Sequence, residues 1–221
     1  MQAITLITQL AADFQDEDYD QITKLEWAEY LNSAQRQVAL VRPDASFSIE
    51  SILLVSGTKQ SLPSNGLRLL DIVRNMGVDG LIPGRPVTAT DQATMDLYDR
   101  NWHTKTGQTS IKAYMLDERS PKEFYVTPPV VVGTAVYVEA KMSVLPTEIA
   151  DPDIDAIGLD DIYEGPIRHW MLHRAYSKET DSPGSQQQAR IHWNWFFQSL
   201  GIKTQTDKMY TPSVEVKSGV Q

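Results

Sequence analysis

The sequence predicts an α+β fold: an α-helical bundle formed by the N- and C-terminal helices, a central antiparallel β domain, and an extended C-terminal arm. Three observations predict it. Apolar residues recur at helical spacing only toward the two ends, they alternate with polar residues between Gly- and Pro-rich turns only in the middle, and no period holds beyond Ile202. The expected division is a bundle of residues 1–45 and 155–201, a β domain of 46–150 and an arm of 202–221.

Residues 3–14 read as a short helix because Ile4, Ile7, Ala11 and Phe14 fall on one side at helical spacing. The acidic run from Asp16 to Asp20 reads as a solvated connector. Thr23 and Glu26 then make a capping-box pattern, in which hydroxyl and carboxylate satisfy backbone donors that the first turn leaves open. The helix so started carries Trp27, Tyr30, Leu31, Ala34, Val38 and Val41 on one stripe, and Pro43 ends it. From Phe47 the period changes to two, giving strands over Phe47 to Val55 and Thr58 to Leu62, with Gly57 at the turn. Leu67 to Gly77 is a third strand or an irregular segment. Asp91 caps a short helix with Met95 and Leu97, and strands follow at Ile111 to Leu116, Phe124 to Thr127 and Ala135 to Val144. The charged loop between Leu116 and Phe124, with Pro121, suits a hairpin tip, so the middle reads as a small antiparallel sheet or barrel.

After Pro146 an acidic connector leads to two helices, about Asp161 to Lys178 and about Ser185 to Leu200, the second ended by Gly201. On the last helix Ala189, Trp193, Phe196, Phe197 and Leu200 share one face, which a helical hairpin would bury, making Trp193 a core residue. Ile191 and Trp195 lie nearly opposite. A hairpin buries one side only, so this second face calls for another element or another copy of the chain.

Composition excludes several functions. A net charge of -9 argues against a surface that grips nucleic acid, since such surfaces gain affinity by neutralising phosphates. The chain has no cysteine, hence no disulfide framework, thiolate metal site or thiol nucleophile, which fits assembly in a reducing cytoplasm. The longest apolar stretch, Val130 to Val138, falls far short of the ~20 residues a spanning helix needs, and the first residues lack a basic leader, so no membrane is expected.

The motifs that could carry chemistry fail on spacing. Asp151, Asp153 and Asp155 start like a calcium loop, but Ala156 and Ile162 stand where glycine and glutamate are needed; Asp16, Asp18 and Asp20 fail alike at Gln21 and Trp27. His169 and His173 are four apart on a helix, a zinc spacing, yet Trp170 occupies the place of the metalloprotease glutamate. Ser56 to Ser61 lacks the Gly-Lys-Ser core of a phosphate loop, and no Gly-x-Ser-x-Gly elbow occurs. Trp102 and Tyr98 could stack a ligand but read better as core or interface residues. The expectation is therefore no catalytic residue, no cofactor and no metal.

The ordered series VRPDA (Val41 to Ala45), GTKQSLP (Gly57 to Pro63), LRLLDIVRNMG (Leu67 to Gly77), YMLDERSPKEFYVTPP (Tyr114 to Pro129) and HRAYSKETD (His173 to Asp181) resembles the head-to-tail adaptor, or connector, proteins of tailed bacteriophages. The resemblance runs from about Ile22 to Gly201. It implies a structural virion protein at the head-tail junction, assembled in the host cytoplasm and not an enzyme. It also implies a homo-oligomeric ring of about twelve copies between the portal protein and the tail tube or nozzle protein. Such a ring would carry roughly -100 formal charges, and its channel would pass DNA without specific binding. In that setting Ile191 and Trp195 are the expected subunit interface. The arm, where Val214 and Val216 alternate with polar residues as an added strand would, is expected to bind the portal through Tyr210, Val214 and Val216. The alternatives are a tail-completion or stopper ring protein, or a virion-associated cell-wall hydrolase.

Overall fold

The computed structural model describes residues 1–117, 119–179 and 182–210, with 202–210 described as backbone alone. The chain divides into two compact units, one of Met1–Arg42 with Thr147–Gln221, the other of Pro43–Pro146.

The first unit is helical. Helix α1 (Ala3–Asp13) buries Leu6, Ile7 and Leu10, and α2 (Lys24–Val41) buries Trp27, Leu31, Ala34 and Val38, while Val41 is exposed. Thr23 caps α2 by accepting from the Glu26 N–H at 3.2 Å. The Glu26 carboxylate, expected to return to the Thr23 backbone, instead accepts from Tyr30 Oη and Lys178 Nζ, both at 2.7 Å. An ion pair with the Lys178 ammonium together with the Tyr30 hydroxyl gives the carboxylate two partners, one of them fully charged, where the Thr23 backbone offers a single N–H. Helix α4 (Glu164–Lys178) packs against α2, α1 and α5 (Pro183–Tyr210). The chain start is fixed across the sequence: Ala3 N–H donates to Asp155 C=O at 3.1 Å, and the Met1 amine pairs with Asp161 at 2.8 Å.

Two features correct the sequence reading. The run Asp16 to Asp20 connects α1 to α2 with Glu17, Asp18 and Asp20 exposed, as expected, but Asp16 is buried and its carboxylate accepts from the backbone N–H groups of Asp20, Gln21 and Ile22 at 2.9 to 3.2 Å. Helix α5 passes through Gly201 to Tyr210, where the expected arm should already be extended. Glycine inside a helix costs only about 1 kcal/mol relative to alanine, and the next proline, the residue type that does end helices, is Pro212.

Among its described residues the second unit holds seven strands in two sheets: β1 (Phe47–Leu53), β2 (Gly57–Ser61), β3 (Gly66–Asn75), β4 (Thr88–Ala89), β5 (Ala113–Leu116), β6 (Glu123–Val130) and β7 (Tyr137–Val144). One sheet has the order β1-β7-β3, antiparallel throughout, and the other β2-β6-β5-β4. Leu67 to Gly77 is thus mostly strand. Between the named strands of the described residues, β4 pairs parallel with β5 and the other pairs are antiparallel. Residues of both sheets, among them Ile52, Leu69, Ile72, Tyr114, Phe124, Val126 and Val138, form one core with Ile111. Buried amides hold the loops: Asn75 bonds the N–H and C=O of Ile111 at 2.9 Å, and Gln60 bonds both groups of Val55 at 2.8 Å. The short helix α3 (Gln92–Tyr98), capped by Asp91, buries none of its residues.

Candidate interaction surfaces

The chemistry-bearing residues gather on the α4–α5 hairpin. At 100° per residue the buried Ala189, Phe196 and Leu200 lie within about 40° of one another on α5 and form the seam against α4. Phe196 meets Trp170 at 5.0 Å between ring centroids. Trp193 and Phe197 flank this seam on one side. Trp193 touches Trp170 and His173 at 5.4 and 5.0 Å but stays 40% exposed, so it is a flank residue and not the expected core residue. The reason is geometric, since a stripe wide enough to hold Ala189 and Phe197 together exceeds what one neighbouring helix can cover.

On the other flank, Trp195 is 49% exposed and lies edge-on to His169 and His192, at 5.2 and 5.8 Å. Ile191, one turn before it, is half-buried. Both residues lie off the Ala189, Phe196 and Leu200 stripe, and Trp195 still meets His169 of α4. Tyr210 is the last residue of α5, and Val214 and Val216 lie outside the described residues.

The histidines are arranged differently from their sequence spacing. His169 Nδ1 is 3.2 Å from His192 Nδ1 across the hairpin, while His173 Nδ1 is 2.9 Å from the Ala189 carbonyl oxygen. Spacing alone pairs His169 with His173; the hairpin pairs it with His192. Burial, and then the Arg168 charge, lower the pKa of His169, and burial followed by the two other histidines lowers that of His192. Two neutral rings can share one N–H···N bond, whereas two imidazolium rings would repel. On the Trp193 flank, His173, Ser177, Gln186, Ala189, Arg190 and Trp193 line a groove of about 330 Å³.

The acidic runs that resemble ion sites bond to backbone instead. Asp155 accepts from the Ala150 and Asp151 N–H groups at 2.8 Å, and Asp151 accepts from the Asp153 N–H at 3.0 Å. The two aromatics that could have stacked a ligand part ways, since Trp102 is fully buried with its indole N–H on Asp96, whereas Tyr98 is exposed. No helix among the described residues is long and apolar enough to cross a membrane.

A second surface went unread in the sequence. On β1 the apolar residues Phe47, Ile49 and Leu53 face outward while Ser48 and Glu50 are half-buried on the other face, where Ile52 is the strand's residue in the core. Alternation was visible in the sequence, but its polarity relative to the core was not. Among known proteins, a family model described as SU10 adaptor protein matches residues 1–217. No curated protein matches the chain.

Proposed function

Because the chain belongs to the SU10 adaptor protein family, whose members are bacteriophage structural adaptors, we propose that it is the ring subunit of the head-to-tail connector. In this reading, copies of the chain form a ring of about twelve that joins the portal to the tail tube or nozzle in the virion and lines the DNA channel. The observation that carries the reading is the family match over nearly the whole chain. The α4–α5 hairpin supports it, because α5 keeps large aromatic residues outside its own seam on both flanks, Trp193 on one and Trp195 on the other. Exposed aromatics are favoured interface anchors. The net charge of -9 suits a channel wall that DNA slides past. Ile191 and Trp195 are the proposed subunit contact, and Tyr210, Val214 and Val216 the proposed portal contact.

The experiment mixes the purified chain with the portal protein of the same phage and follows assembly by sedimentation and electron microscopy. A multi-copy ring on the portal is expected; free chain alone at saturating portal overturns the reading. Binding to a preassembled adaptor ring instead of the portal would indicate a stopper, and peptidoglycan turnover a hydrolase. Trp195→Ala is expected to weaken the ring at least tenfold with little change in melting. Phe196→Ala, which empties the buried seam, is expected to cost about 3 to 5 kcal/mol of stability.

A further inference from the structure

His169 and His192 meet through their nitrogens: the two Nδ1 atoms stand 3.2 Å apart while the ring centroids are 5.4 Å apart, and both residues are half-buried. A neutral imidazole carries one N–H and one bare nitrogen, whereas an imidazolium carries an N–H at both. With both rings neutral, or with one charged, a single proton fills the gap between the facing nitrogens. With both charged, two N–H groups meet head to head and the like charges add to the clash. The rings therefore titrate as a pair, and only the second proton is incompatible with the closed arrangement.

His192 is not free to turn away. Its ring lies flat on Tyr176, 5.7 Å between centroids with the planes 8° apart, and Tyr176 is held in turn by Phe14 of α1 at 5.1 Å. Trp195 stands across both histidines, its plane 66° from that of His169 and 82° from that of His192. The closed pair thus places the indole, and parting the rings displaces it. The charged groups around the pair are engaged elsewhere. On α4, Arg168 is bonded to Glu164 at 3.2 Å and to Asp13 of α1 at 2.9 Å, and its charge opposes protonation of His169. His173 is turned to the Ala189 carbonyl, and Glu179 bonds Ser185. The ionisable groups of α2 that meet α4, Glu26 and Tyr30, are bonded to each other and to Lys178, with Arg174 over the Tyr30 ring. On α5, Arg190 lines the groove on the Trp193 flank.

We propose that the His169–His192 pair is a proton-operated latch for Trp195: one shared proton closes it and fixes the indole on the flank of the hairpin, and a second proton parts the rings and frees the indole while the fold persists. Where Trp195 forms the contact between copies, a step that rests on the ring reading above, the latch makes that contact sensitive to acid. Burial opposes charge on both rings, so the latch is closed at neutral pH and opens as pH falls below the ordinary histidine value of about 6.5.

The test uses the full chain at about pH 7.5 and about pH 5.5, either side of that value. The difference in emission between the wild-type chain and Trp195→Phe isolates Trp195 from the other tryptophans. Its maximum is expected to move to longer wavelength in acid, because the freed indole meets water, with the helical circular dichroism unchanged. In His192→Asn, whose amide can still donate to His169 but does not titrate, the maximum is expected to stay in place. His169→Asn serves the same purpose should His192→Asn melt early. A Trp195 signal that ignores pH, or that shifts alike in the asparagine variant, overturns the latch, and so does a shift that only accompanies loss of helical signal. On the portal, the wild-type ring is expected to hold its copies at least tenfold more weakly in acid, and the asparagine variant to hold them equally at both values. A latch that opens in the free chain beside a ring indifferent to acid overturns its role in the contact. No ring at either pH overturns the ring reading, while the emission of the free chain still decides the latch.

Discussion

At the scale of single residues, much of the fold is held by polar side chains bonded to distant backbone. Asn32 reproduces a strand-like pair with Ile149, bonding its N–H and C=O at 2.8 and 2.9 Å, and Gln35 accepts from the Gly158 N–H at 2.8 Å. Asp16 does the same for the turn between α1 and α2, where Gln15 and Tyr19 take left-handed backbone angles. Burial pushes the Asp16 carboxyl up, but the N–H groups of Ile22, Gln21 and Asp20, with the Lys178 charge, outweigh it and hold the group below its ordinary value. Its stabilisation is therefore present above the ordinary carboxylate range and is lost as pH falls through the lowered value. Asp16→Ala is expected to cost about 2 kcal/mol in urea unfolding at neutral pH, because buried N–H groups lose their acceptor, and Asp16→Asn less. A loss below about 0.5 kcal/mol would show that water replaces the carboxylate. Local caps such as Thr23 and Asp91 were legible because donor and acceptor lie three residues apart. Asp16, Asn32 and Gln35 were not, because nothing in their spacing marks which backbone group each will meet.

At the scale of elements, sequence periodicity located the strands and helices well, and their partners poorly. The hairpin of β5 and β6 follows from its charged loop, and α2 from its cap and stripe. The parallel β4–β5 pair is two residues long, too short for any period to register. Pairing of His169 with His192 depends on how α5 folds back on α4, which their separation of 23 residues does not encode. This pair makes the hairpin respond to acid. Both histidines titrate below their ordinary value in the fold, so the unfolded chain takes up protons first as pH drops. Their contribution is complete above about pH 6.5 and declines as pH falls through the lowered folded values. Thermal melts should show Tm falling between pH 7 and 5, and His192→Gln should flatten that slope. An unchanged slope in the variant would place the acid response elsewhere.

At the scale of the whole molecule, the α+β class and the grouping of helices at the two ends were readable, since amphipathic period is a property of each segment by itself. The split of the β segment into two sheets around one core was not, because strand order depends on pairings between segments such as β1 and β7 that are nearly a hundred residues apart. The second unit has its own core, and Val144 N–H donates to Ser46 C=O at 2.9 Å, which brings its two ends together. Residues 43–146 expressed alone are therefore expected to unfold in one cooperative thermal transition with the circular dichroism of β structure. A featureless melt would mean that this unit needs the helical one to fold.

The insertion of one unit between the halves of the other also sets an order of events at the ribosome. The N-terminal residues that bond to Asp155 and Asp161, and the face of α2 that α4 covers, are made first. Their partners emerge more than a hundred residues later, about 5 to 30 seconds at ordinary rates of synthesis. During that interval α1 and α2 can close only against each other, and the faces that α4 will cover stay open, while the intervening β unit can complete its core. Nascent chains stalled after residue 146 should accordingly bind a holdase chaperone through α1 and α2, and chains stalled with α4 clear of the exit tunnel should release it.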